Sequence, residues 1–185
     1  SSISSRVNSN AEGDSGGVKI STGNLRLTDG GRVSASTSSI GNAGQVEITA
    51  TGDITVEGDD SEGFRSTISS QVNSDGDGDS GGVKISTGNL RLTDGGRVSA
   101  LTFGIGNAGQ FEITARGDIA VEGEDSEGDG SNIASEVESN AEGDSGGVKI
   151  STGNLRLTDN GRVLASTAGT GDAGGIGIAT GNLSL

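Results

Sequence analysis

The chain has 185 residues, of which 36 are Gly and 3 are Phe; it has no Trp, Tyr, Pro, Met, Cys or His, and its formal net charge is −14. That composition excludes a core built around aromatics, a disulfide framework and a serine nucleophile activated by histidine. The acidity argues against nucleic acid and anionic membrane surfaces as partners, since phosphate binding needs clustered Lys and Arg. No stretch approaches the roughly 18 apolar residues of a membrane span, so no membrane insertion is expected.

Hydrophobic residues make up 29% of the chain and charged residues 21%, proportions that lean towards disorder. The apolar residues nevertheless fall in short alternating runs, and the runs repeat. The block GDSGGVKISTGNLRLTDGGRVSA begins at Gly13, recurs at Gly78 and returns at Gly143 with Asn160 and Leu164 as its two changes, a spacing of 65 residues. Self-similarity of this length marks a repeat architecture in which each unit packs mainly on its neighbours. Residues 1–185 read as one segment: the end of a preceding repeat (1–12), a first repeat (13–77), a second (78–142) and a partial third (143–185). The opening residues match Ser66–Ser74, so a piece of something longer is expected, with any secretion signal outside it.

In chain order, the first repeat offers Val18–Ile20, Leu25–Leu27, Val33–Ala35, Val46–Ile48, Ile54–Val56 and Ile68–Val72 as alternating runs. Alternation with period two is the strand signature, and no window shows a helical period. Thr22-Gly23-Asn24, Asp29-Gly30-Gly31 and Ile40–Gly44 separate the runs as turns. Gly30 and Gly95 become Asn160 in the third copy, the exchange expected at a left-handed turn position. GGVKISTGNLRL also aligns with GQVEITATGDITV, so each half of the unit reads as one three-stranded coil, with extra length in Glu57–Arg65 and Asn73–Gly81.

These features predict an all-β, right-handed parallel β-helix (a solenoid) with three strands per coil, about six coils and two coils per repeat. Stacking then gives inward columns Val18, Val46, Val83, Phe111, Val148, Ile176; Ile20, Ile48, Ile85, Ile113, Ile150, Ile178; and Leu25, Ile54, Leu90, Ile119, Leu155, Leu183. The outward column Lys19, Glu47, Lys84, Glu112, Lys149 alternates in sign, as directly opposed charges should.

Several motifs point to chemistry and have plainer readings. Gly13-Asp-Ser-Gly-Gly17 has the form of a serine-protease nucleophile motif but lacks a histidine anywhere in the chain, so it reads as a turn. Asp75-Gly-Asp-Gly-Asp79 resembles the start of a calcium loop, but Ser86 stands where an EF-hand needs Glu; incidental calcium at the acidic loops stays an open alternative. Arg116-Gly-Asp118 is an integrin-type tripeptide present in one copy only. Asp59-Asp60 and Glu122-Gly-Glu124-Asp125 could serve a polysaccharide lyase, but repeated surfaces are poor places for one active site. Thr37, Thr102 and Thr167 recur without a regular Thr-x-Thr face that ice binding would need. Phe64 and Phe103 are unique in their repeats and lie in loops, where they could touch a ligand. No catalytic, cofactor or metal residue is assigned.

GNAGQVEITA, TGNLRLTDGGRVSAST and GIGNAGQFEIT resemble repeats of filamentous-haemagglutinin-like exoproteins, especially large cyanobacterial surface proteins, across essentially the whole chain. The resemblance implies a β-helical shaft, export by two-partner secretion, and roles in adhesion, aggregation or surface fibres. The expected function is a non-enzymatic structural shaft of an extracellular or bacterial cell-surface filament or adhesin, without cofactors. Its expected partners are neighbouring repeats or copies of itself end to end, with glycans or cell surfaces as further candidates. The alternatives are a glycan- or surface-binding module using Phe64, Phe103 and the acidic loops, and, further off, a polysaccharide lyase.

Overall fold

The computed structural model describes residues 1–185. Strands β1 (Ser2–Val7), β4 (Arg32–Thr37), β7 (Thr67–Val72), β10 (Arg97–Thr102), β13 (Asn132–Val137) and β15 (Arg162–Thr167) form a six-stranded sheet in that order. A ten-stranded sheet runs through β2 (Val18–Thr22), β5 (Val46–Ala50), β8 (Val83–Thr87) and β11 (Phe111–Ala115) to β14 (Val148–Thr158). It returns through β12 (Asp118–Glu122), β9 (Leu90–Thr93), β6 (Ile54–Glu57) and β3 (Leu25–Leu27), with β16 (Ile176–Ser184) paired on β14. Every pair of named strands is parallel, so the fold is all-β and parallel-stranded.

This topology corrects the expected right-handed β-helix of three separate strands per coil. There are two sheets, and the larger is nearly closed on itself in a barrel-like wrap. The cause lies at the Thr-Gly-Asn and Thr-Gly-Asp corners, which the sequence presents as turns. The backbone ladder does not break there: Gly52 N donates to Gly23 O and Gly88 N to Gly52 O at 2.6 Å, Gly117 N to Gly88 O at 2.9 Å, and Gly153 N to Gly117 O at 2.8 Å. In the third repeat the two flanking runs fuse into the single strands β14 and β16, and β14 pairs with β11 at one end and β12 at the other.

Side chains hold the same corners. Asn24 Oδ1 accepts from Asp53 N at 2.8 Å, Asn89 Nδ2 donates to Asp53 Oδ1 at 2.8 Å, Asn89 Oδ1 accepts from Asp118 N at 2.7 Å, and Asn154 Nδ2 donates to Asp118 Oδ1 at 2.6 Å. Asn and Asp alternate along this row, so each carboxylate meets an amide and not a second carboxylate. A second row, Asp14, Asn42, Asp79, Asn107 and Asp144, links successive layers in the same way, each Oδ1 accepting the next residue's backbone N–H at 2.7–2.8 Å. Arg116-Gly-Asp118 is thereby tied down: Asp118 belongs to the first row, and Arg116 donates to Thr51 O.

The register is the one the inward columns require. Val18 pairs with Val46, Val46 with Val83, Val83 with Phe111, Phe111 with Val148 and Val148 with Ile176. Leu25, Ile54, Leu90, Ile119, Leu155 and Leu183 follow one another likewise. A cluster of 23 buried residues lies between the sheets, joining these columns to Val33, Ile68, Val98 and Ile133 of the six-stranded sheet. Each such aliphatic contributes roughly 1.5–3 kcal/mol when fully buried, enough to replace aromatics. Outside, Lys19–Glu47 and Lys84–Glu112 bridge at 2.9 Å. The hydrogen bond and charge of Glu112 raise the Lys84 pKa, and those of Lys84 lower that of Glu112. Lys149 stands between Glu112 and Gly177 in the register and forms no ion pair of its own, Glu112 being taken by Lys84.

Two glycine roles are forced. Gly30 and Gly95 sit at φ 70° and 85°, and Asn160 takes φ 64°, as their exchange predicts. Gly106, at φ 131°, lies so close to the layer beneath that a Cβ would fall 2.0 Å from Gly78 O.

Leu92 is fully buried, whereas Arg91 is exposed and pairs with Glu122 at 2.6 Å. Leu92→Asp should lower unfolding stability by more than about 4 kcal/mol, because it buries an unpaired charge. Arg91→Asp should cost no more than about 1 kcal/mol. Thermal melts of the two variants check this, and equal melting temperatures would contradict the inward face.

Candidate functional site: an arginine-lined groove

The residues singled out in the sequence fall into two groups, those consumed by the scaffold and those left facing outward. The serine of each GDSGG block belongs to the first. Ser15 Oγ donates to Ser5 O at 3.2 Å, Ser80 Oγ to Ser70 O at 3.2 Å and Ser145 Oγ to Ser135 O at 2.8 Å, and each is buried. These hydroxyl pairs clamp the six-stranded sheet to the turn that opens the next layer. Thr37 and Thr102 are wholly buried and offer no threonine face to ice.

The acidic loops are likewise occupied. Asp60 Oδ1 accepts the N–H groups of Glu62 and Phe64, both at 2.9 Å. Asp125 Oδ1 repeats the arrangement with Glu127 at 3.0 Å and Asp129 at 2.8 Å. Asp59 accepts from Ser126, and Glu122 receives both Arg91 and Arg156. Asp79 is held in the Asp/Asn row, its Oδ1 accepting from Asn107. No group of three or more Asp or Glu side chains converges where a metal ion could be held.

The outward face of the six-stranded sheet carries what remains. Alternation sends Val33, Ile68 and Val98 inward and leaves three outward rows. One row is Arg32, Thr67, Arg97; the next is Ser34, Ser69, Ser99; the third is Arg6, Ser36, Gln71, Leu101. The 58–66 loop, closed by an antiparallel bridge between Asp59 and Arg65, brings Phe64 and Arg65 to one side, and Phe103 follows β10. Together they form an open groove of about 390 Å³.

Four of the twelve Lys and Arg residues line this groove, Arg6, Arg32, Arg65 and Arg97, and no Asp or Glu does. Two of the four are neutralised from outside it. Arg65 pairs with Asp125 and lies 3.3 Å from Asp129, and Arg97 meets Glu136 at 2.8 Å. Arg6 and Arg32 have no carboxylate partner: Arg6 Nε donates to Ser36 Oγ at 3.3 Å, and the Arg32 guanidinium lies 5.8 Å from the Phe64 ring centroid. Ser99 Oγ and Arg97 Nε are buried and unpartnered. Groups of that kind are uncommon and ask for an explanation.

Phe64 and Phe103 thus share one hollow; the acidic loops contribute Gly63, Phe64, Arg65 and Asn73 to its lining but none of their carboxylates. The arginines were missed because Arg6, Arg32 and Arg97 lie far apart in sequence. The available signal was the outward positions of β1, β4, β7 and β10, which hold only Ser, Thr, Arg, Gln and one Leu. No protein-family model matches the chain, and searches of curated proteins and of solved structures give no match.

The Asp125–Arg65 pair joins the 58–66 loop to its counterpart one repeat later, 123–131, and the Asp125 side chain is only 3% exposed. Burial pushes its carboxyl up, but the N–H of Asp129, Arg65 and the N–H of Glu127 together outweigh this and hold it below the usual value. A carboxyl lowered on folding stabilises the fold above its unfolded pKa, and that contribution disappears as pH falls through the folded value. Asp125→Asn keeps an acceptor for both N–H groups but removes the charge. It should cost about 1–3 kcal/mol at pH 7 and progressively less below about pH 4. Melting temperature against pH reads this, and a deficit independent of pH would contradict the ion pair's role.

Proposed function

We propose that this chain is a structural segment of an extracellular or bacterial cell-surface filament or adhesin, of the filamentous-haemagglutinin-like type, without catalysis. The supporting observation is that its apolar columns run unbroken from layer to layer through the stack. Ile176, Ile178 and Leu183 are 46%, 38% and 52% exposed, whereas their partners Val148, Ile150 and Leu155 are buried. At the other end Val18, Ile20, Leu25 and Leu27 are only partly buried.

The two ends also match in phase. β16 carries the second-half pattern of the repeat and β2 the first-half pattern, the same order in which β11 passes to β14. A further layer on β16, from a neighbouring repeat or from a second copy end to end, would cover the exposed isoleucines, satisfy an open strand edge and supply apolar burial of roughly 25 cal/mol per Å². The second reading, a module that binds glycans, is favoured by one specific observation: Phe64 and Phe103 line the same groove.

Self-stacking is tested by light scattering and electron microscopy over a concentration series. The chain should form end-to-end assemblies, and Ile178→Lys should return it to monomer without lowering its melting temperature by more than a few degrees. A wild-type chain that stays monomeric at high concentration would overturn end-to-end association.

A further inference from the structure

We propose that the arginine-lined groove on the six-stranded sheet binds an anionic polysaccharide, a sugar chain bearing carboxylate or sulfate groups. This goes beyond the structural role and lies on a lateral face, so it survives if end-to-end stacking fails.

The charge argument comes first. A chain of net charge −14 gathers four arginines around one hollow and keeps every carboxylate out of its lining. Arg6 and Arg32 are exposed guanidinium groups without a carboxylate, free to take a bidentate partner. Arg32 and Arg97 occupy the same row two strands apart with Thr67 between them. That separation is about 10 Å, too far for one anion to bridge and suited to charges spaced along a chain.

The neutral lining supports a sugar. The floor carries the hydroxyls of Ser34 and Ser69 beside the amide of Gln71. Ser99 Oγ lies sealed from solvent beneath this row, so the contacts available to a ligand come from the residues around it. Phe64 and Phe103, both exposed, give apolar edges for a sugar ring to lie against. The groove is open and runs across the strands, as a polymer needs. A polynucleotide is the poorer occupant, because its dense phosphates would meet the acidic surface around so small a basic patch.

The test titrates the 185-residue chain with polygalacturonate, dextran sulfate, neutral dextran and single-stranded oligo-dT, by calorimetry at low and physiological ionic strength. At least one charged polysaccharide should bind, more weakly as salt rises, and neutral dextran should not; which one binds identifies the anion as carboxylate or sulfate. Arg6→Gln with Arg32→Gln should weaken binding at least about tenfold. Lys149→Gln, which removes an unpaired cation from the other sheet, should leave it unchanged. No binding of either charged polysaccharide, tighter binding of oligo-dT, or equal weakening by Lys149→Gln would overturn the proposal.

Discussion

In-register stacking of like on like is the constraint from which the rest of this structure follows. Each parallel pairing sets an aliphatic side chain on its counterpart in the next layer, as Val46 sits on Val83 and Ile48 on Ile85. The buried columns so made supply the apolar burial that a chain with 3 Phe and no Trp or Tyr must find elsewhere. Stacking also imposes a cost: whatever is placed in one layer meets its near copy in the next. A carboxylate would face a carboxylate, and a Cβ at a close approach would strike a carbonyl.

The repeat meets that cost by alternating its two halves. Lys19 opposes Glu47, Asn24 opposes Asp53, and Asp14 opposes Asn42, so like charges are held apart by a full unit along much of the stack. Glycine takes the positions where layers touch most closely, as Gly106 does over Gly78. The hydroxyl clamps Ser70–Ser80 and Ser135–Ser145 satisfy polar groups at the boundary between sheet and turn. Together these devices let a strongly acidic chain pack without disulfides and with Phe111 as the one aromatic in its core.

Much of this was legible in the sequence, because the signals were local and repeated. Alternating apolar runs gave strand faces, the internal copies gave the stacking register, and the Gly30-to-Asn160 exchange marked a left-handed turn. The division into sheets was not legible. Thr-Gly-Asn has turn composition, yet Gly52, Gly88 and Gly117 keep the ladder intact through the corner, so two predicted strands belong to one sheet. The groove was equally hidden, because Arg6, Arg32 and Phe64 converge only once layers are stacked. The GDSGG serines have turn composition, and nothing local shows that their hydroxyl partners lie 10 residues earlier in the chain.

The same scaffold can hold a structural role and a lateral recognition site, because its ends and its outer face are separate surfaces. Both depend on the register, and disulfide trapping tests that register most directly in a chain that has no native cysteine. Thr49 and Ser86 are exposed partners on adjacent strands, whereas Ser21 and Ser86 stand two strands apart with Thr49 between them. Adjacent partners lie about 4.8 Å apart, within the roughly 4.4–6.8 Å that a disulfide spans. The account predicts that the Thr49→Cys, Ser86→Cys chain closes a disulfide under mild oxidation and that the Ser21→Cys, Ser86→Cys chain does not. Closure of the second pair in preference to the first would contradict it.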